Sequence, residues 1–248
     1  MTLFLHEVRN QQLLFWRSKE AAVFIFVFPP LLFLLLGAVY DGTIDDEPAV
    51  DRLLVGILGY GCASTALGGL AITLVIRRES GILKRLRATP LPPVTYMAAV
   101  LVSTLVVFFL QMVTTVLLGV VLYDAQGPES WVAMFAVLLV GAAAFAALGI
   151  GLASLIRSDE GASAIVNLVV LPMAFLSGSF GSTDGYPAFL QAVSDVLPLT
   201  YLIDLVEAAY LHGASLTDDT GAVAVVLGWG LLGLVVAIRL FGWEPRER

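Results

Sequence analysis

This sequence is short of charge. Only 13% of its 248 residues are Asp, Glu, Lys or Arg, and 59% are hydrophobic, with a mean hydropathy of +0.93. Soluble domains carry about 25% charged residues, so the balance is that of an integral membrane protein. Lysine occurs twice, as Lys19 and Lys84, and neither follows a glycine-rich loop. The phosphate cradle G-x-x-x-x-G-K-S/T is absent, so no ATP site and no enzyme activity are expected in this chain. One cysteine, Cys62, excludes an intrachain disulfide. Lying in an apolar run, it reads as a small buried thiol. The two histidines, His6 and His212, have no zinc-like spacing, so no metal or other cofactor is expected here. A cleaved secretory leader is not expected either, because the first apolar run is long enough to span.

What is present is a series of apolar runs. A bilayer crossing takes about 20 residues of helix, and six runs qualify: Ala22–Tyr40, Leu53–Ile76, Met97–Leu122, Trp131–Ile156, Ala162–Phe180 and Ala222–Phe241. Backbone polar groups cannot be left open in lipid, and no alternating pattern argues for a barrel. The expected fold is therefore an all-α membrane protein of six transmembrane helices. Lys and Arg set its orientation. Twelve of the thirteen fall on one side of this arrangement, and only Arg52 on the other, which puts both termini in the cytoplasm of what reads as a multi-pass plasma-membrane protein. Acidic residues lean outward. Asp41, Asp45, Asp46, Glu47 and Asp51 fill the first outer loop, so the low pI is mostly an outer-face property, and no nucleic-acid partner is expected.

Two segments are neither span nor simple loop. Residues 1–21 alternate apolar and basic side chains in the manner of an amphipathic interfacial helix, with Trp16 at headgroup depth. Residues 22–248 form the six-span transmembrane domain that follows. Within it, the outer segment 181–221 is too long to lack structure of its own. Its apolar stretches PAFLQAVSDVLP and TYLIDLVEAAYLHG have helical spacing but are too short to span, as expected of re-entrant or interfacial helices forming an outer hairpin. Pro29-Pro30 predicts a kink or early break in the first span, and Pro172 one in the fifth.

The six proposed spans contain no Asp, Glu, Lys, Arg or His in their interiors. Ion-coupled pumps need such groups at membrane depth, so uphill work by this chain would draw its energy from another subunit. Gln111 and Asn167 are the two large polar residues inside the spans. They are candidates for a substrate pathway, although bonding between helices is the commoner use of such side chains.

The loop 77–96 holds five of the thirteen basic residues between two long apolar runs. Anchoring to anionic lipid would account for the charge alone. The order of its residues points further. RRESGILKRLRATPLPPVTY resembles the signature cytoplasmic loop of type 2 ATP-binding-cassette exporter permeases, such as the daunorubicin-resistance permease. Arg78, Glu79, Gly81, Leu83, Leu86, Arg87, Ala88, Thr89, Pro90 and Leu91 carry the match. Ser80 and Ile82 depart from it, standing where the family has a basic residue and Thr. LPMAFLSGSF followed by LPLTY resembles the family's fifth-span end and outer hairpin, through Pro172, Ser177, Gly178, Pro198, Leu199, Thr200 and Tyr201.

The resemblance implies a half-transporter. A second permease subunit, a copy or a paralogue, would pair with it in the membrane, and a separate cytoplasmic subunit would bind ATP and Mg. The loop would form a short coupling helix seated in that ATPase, with Arg78, Glu79, Gly81, Leu83 and Leu86 on or beside it. Helical spacing puts Glu79, Leu83 and Leu86 on one side. The expected function is export of a hydrophobic or amphiphilic small molecule, a drug or antibiotic. Export of a lipid or lipid-linked glycan and a non-transporting assembly or sensor role are the alternatives.

Overall fold

The computed structural model describes residues 2–40, 42–44 and 47–245. Asp41, Asp45 and Asp46 of the first outer loop, and Arg246 and Arg248 at the C-terminal end, lie outside the described residues. The chain is an all-α membrane protein. Its helices are α1 (Thr2–Arg17), α2 (residues 19–37), α3 (Ala49–Glu79), α4 (Ile82–Arg87), α5 (Pro93–Tyr123), α6 (Trp131–Leu155), α7 (Ala162–Leu176), α8 (Ala188–Ser194), α9 (Pro198–His212) and α10 (Thr220–Leu240). Among the described residues the strand content is one two-residue ladder, Thr43–Ile44 against Glu47–Pro48.

Four helices, α3, α5, α6 and α10, are long and apolar enough to cross a membrane. The stretch Val23–Gly37 of α2, and α7, are apolar but shorter. Helices α8 and α9 meet at a 75° bend. Hydroxyls hold that corner: Thr200 donates to Ser177 Oγ (3.0 Å), and Ser194 donates to the carbonyl of Leu176 (2.9 Å).

Helix bounds follow capping chemistry more than hydropathy. Pro93 sits in the first turn of α5, where its missing N–H is no loss, so the helix begins four residues before the apolar run. Helix α6 starts at Ser130, whose hydroxyl accepts the N–H of Ala133 (3.2 Å), and α10 at Asp219, which accepts that of Ala222 (2.9 Å). Helix α3 begins at Ala49, after Pro48, and so takes in Asp51 and Arg52. Asp51 is buried and accepts the Gln126 N–H at 2.9 Å, while Arg52 lies 3.4 Å from Glu207.

Pro29-Pro30 does not end its helix. The five residues Val23–Val27 wind as a π-helix just before the prolines, and helical backbone continues to Gly37. A wider turn accommodates carbonyls whose usual N–H partners proline removes. Helix α7 likewise runs through Pro172 and stops at Leu176, where Gly178 turns the chain at a φ of 76°.

Helix α3 is the centre of the bundle and is almost wholly enclosed. Glycine makes that possible. Gly149 of α6 faces the backbone of a second π-wound stretch, Ala63–Gly69, so closely that an added Cβ would sit 2.7 Å from the Leu67 carbonyl oxygen. Gly56 meets the backbone of Ser179 in the same way. Helices α6 and α10 approach through Gly151 on Gly233 and Ala144 on Gly230, the small-residue packing by which helices associate in lipid.

Candidate functional site

The segment joining α3 to α5 is built on a break and an anchor. Helix α3 ends at Glu79, and Gly81 adopts the left-handed conformation (φ 72°), from which α4 sets off in a new direction. Glu79 therefore does not share a helix face with Leu83 and Leu86, contrary to the spacing argument for one continuous helix. Beyond α4, the Thr89 hydroxyl donates to the carbonyl of Leu86 (2.7 Å), and Pro92 leads into α5.

Nothing lies within 4 Å of the Cβ position at Gly81. A side chain there meets only the left-handed backbone penalty, about 1–2 kcal/mol. Gly81→Ala should lower thermal stability accordingly. Gly228→Ala, in an equally open site inside α10, should raise it by about 0.5–1 kcal/mol. Melting curves of the purified variants check the opposite signs.

Arg78 faces inward. It is 1% exposed, and its guanidinium donates to the carbonyls of Ala153 (2.9 Å) and Ile156 (2.6 Å) at the end of α6. Its Nε donates to Glu79 Oε1 at 2.7 Å. The last carbonyls of a helix have no partner within it and carry its negative pole, so a cation with a planar fork of donors suits the place. Leu83 is fully buried and fixes α4 against the bundle. Leu86 and Glu79 are half-buried, whereas Ile82, Lys84, Arg85 and Arg87 are exposed.

The five residues singled out in this loop thus lie together but divide in two. Arg78 and Leu83 hold the segment from within, while Gly81 aims it. The outward surface belongs to Ile82 and the three basic residues. Arg77, one position before the clamp, points elsewhere: its Nη1 donates to the Tyr96 hydroxyl at 2.7 Å. The signal for this division was the Arg77-Arg78 pair itself, since consecutive helical residues diverge by about 100° and cannot serve one surface.

Gln111 and Asn167 do not share a space. Gln111 is buried between α3 and α5, accepting the Thr65 hydroxyl at 2.9 Å. Asn167, on α7, lines a small cleft with Tyr60 and Ser64.

Residues 2–211 match the ABC-2 type transporter family. The chain belongs to that family. Relatives are found across most of its length. It is 26% identical over 184 residues to transport permease YvfS of Bacillus subtilis (strain 168), covering 73% of this chain and 75% of that one. Transport permease ycf38 of Cyanophora paradoxa is 29% identical over 192 residues, 73% of this chain and 64% of the relative. Daunorubicin resistance ABC transporter permease protein DrrB1 of Streptomyces coeruleorubidus is 27% identical over 213 residues, 81% and 72% of the two chains. ABC-2 permeases are the transmembrane subunits of transporters and not the ATPases, and they generally work with an ATP-binding subunit. The absence of a phosphate loop from this sequence agrees with that division of labour.

Proposed function

We propose that this ABC-2 permease exports a hydrophobic or amphiphilic small molecule, driven by ATP hydrolysed in a separate cytoplasmic subunit, and that α4 is the element the ATPase moves. The observation that carries the reading is a short basic helix presenting Ile82, Lys84, Arg85 and Arg87 outward while Leu83 and the Arg78 clamp fix its base. A helix so held passes a push on its outer surface to the bundle, because a packed interior deforms little. The drug-resistance name of a relative favours a drug or antibiotic as cargo. In this reading α2 and α7 complete a six-span arrangement, both termini are cytoplasmic, residues 1–21 lie at the interface, and a second permease subunit, a copy or a paralogue, completes the pathway in a bacterial plasma membrane.

The test is affinity capture of the tagged chain from native membranes in mild detergent. Glu79→Lys is a poor probe, because it sets a second cation against buried Arg78. Charge reversal on the exposed surface is better. Lys84→Glu combined with Arg85→Glu should leave a monodisperse, inserted chain and reduce co-purified ATP-binding subunit at least about tenfold, as expected when several charge pairs across an interface are reversed. Undiminished capture by that variant would remove α4 from the interface. Capture of no ATPase by wild type, even after crosslinking, would end the exporter reading.

A further inference from the structure

Two clefts meet at Arg77. The larger, of about 410 Å³, lies among α1, α2, α3 and α5 and falls within the size range of small-molecule sites, about 300–1,000 Å³. Thr65, Val100 and Val107 at its floor are buried, while Leu14, Phe24 and Ile76 at its rim are exposed. It therefore opens at the side of the bundle through an apolar rim. The smaller cleft, of about 330 Å³, continues from it between α1 and α4 and adds Arg17, Asn10 and Glu7.

Most of the larger cleft's lining is apolar; of its seven uncharged polar side chains four are already engaged, and Ser18, Thr73 and Ser163 add three hydroxyls. The Thr65 hydroxyl donates to Gln111 (2.9 Å) and that of Thr104 to the carbonyl of Val100 (3.0 Å). Ser103 Oγ accepts from Gln12 (2.9 Å), and the Gln11 amide donates to Glu7 (2.6 Å). Water needs two to four partners to settle in a cavity, and the apolar stretches of this lining, among them Leu14, Phe24, Ile25, Val100 and Val107, offer none. An apolar chain needs none.

Among the described residues Arg77 is the one charged residue lining the larger cleft. Its bond to Tyr96 engages one of five guanidinium N–H donors, and its charge lies 6.0 Å from the centroid of that ring. Among the described residues no carboxylate is within ion-pair reach of it. A cation at the edge of a largely apolar cleft with an apolar rim is complementary to an acidic head on an apolar tail.

We propose that the paired clefts bind a single-chain anionic amphiphile of the fatty-acid type, its tail entering the larger cleft from the bilayer and its head held by Arg77, with Arg17 beside it in the smaller. The site requires only that the chain sit in a bilayer, so it stands or falls independently of export and of any ATPase.

The probe is a palmitic acid analogue carrying a diazirine in the far half of its chain, added to the purified full chain in neutral phosphatidylcholine nanodiscs. After illumination, peptide mass spectrometry maps the labels, with the uncharged methyl ester of the probe run in parallel. Label is expected on the floor of the cleft, around Val100 and Val107. Arg77→Gln should reduce labelling by the acid about tenfold, the loss of roughly one charge-assisted hydrogen bond, and leave the ester unchanged; Arg77→Lys should restore most of the acid's label. Unchanged ester labelling also shows that the variant has kept its fold. Val107→Trp, which fills the cleft, should remove both labels. The proposal is overturned if the acid marks lipid-facing Val132, Leu168 and Ile238 as heavily as the cleft, if Arg77→Gln leaves the ratio of acid to ester label unaltered, or if Val107→Trp retains the label.

Discussion

Arg78→Ala is expected to destabilise the protein by about 3–5 kcal/mol, the range for removing one partner from a buried charged network. The guanidinium joins three acceptors: the carbonyls of Ala153 and Ile156 and the carboxylate of Glu79. Alanine cannot replace any of these bonds, and it leaves two helix-end carbonyls buried without this donor. Arg78→Lys separates charge from geometry. It keeps the cation, but a compact ammonium cannot reach three acceptors in the arrangement a planar fork does, so an intermediate loss is expected. The clamp also ties the end of α3 that carries α4 to α6, which in turn packs on α10. Cargo efflux by Arg78→Lys should therefore fall further than its surface expression. Fluorescence-detected size-exclusion chromatography after heating measures the first effect, and efflux from intact cells the second. A melting temperature close to wild type for Arg78→Ala would mean that the guanidinium does not hold these helices together.

The second large effect is expected at Gly149. A Cβ there meets backbone atoms of Ala66 and Leu67 at 2.7–3.0 Å, and no rotamer change relieves a clash with backbone. Gly149→Val should reach or exceed the upper end of the overpacking range, about 3 kcal/mol, by pushing α6 off the π-wound turn of α3. Gly141 provides the contrast. Its Cβ would lie closer still to a neighbour, but that neighbour is the Cδ1 of Leu202, the end of a side chain that can turn away. Gly141→Ala should therefore be milder than Gly149→Ala, despite the shorter distance. Yield of monodisperse protein and thermal midpoint rank the variants. The reverse order would show that the helices adjust more readily than the leucine.

Much of the fold was legible because lipid leaves a chain few options. Apolar runs located each long helix, and the loop motif located α4. The ends of the helices were less legible, since hydropathy does not register caps. Pro93 carries α5 beyond its apolar run, and α3 takes in Asp51 and Arg52 because folded partners, Gln126 and Glu207, receive them. The proline pair in α2 was visible, but its consequence was not. Whether a helix breaks or takes a π turn depends on what its neighbours can accommodate.

The candidate site divides in the same way. Arg78, Glu79, Gly81, Leu83 and Leu86 could be chosen from the order of residues alone. That Arg78 and Leu83 face inward could not, because the break at Gly81 resets the helical phase, and only the position of the α6 terminus gives a buried arginine its acceptors.

By itself, the sequence determined that this protein lives in a membrane, that it is helical, that it has no phosphate loop and that a basic motif joins its second and third long apolar runs. Each of these follows from composition or local order, through the expense of leaving backbone or charge unsatisfied in hydrocarbon. Tertiary structure alone decided that α3 is the enclosed central helix, that Arg78 is the buried member of the Arg77-Arg78 pair, and that Gln111 joins helices. In lipid every apolar helix is equally comfortable on its own. Which one becomes the core depends on where glycines let backbones touch and on where unpaired helix ends meet a donor.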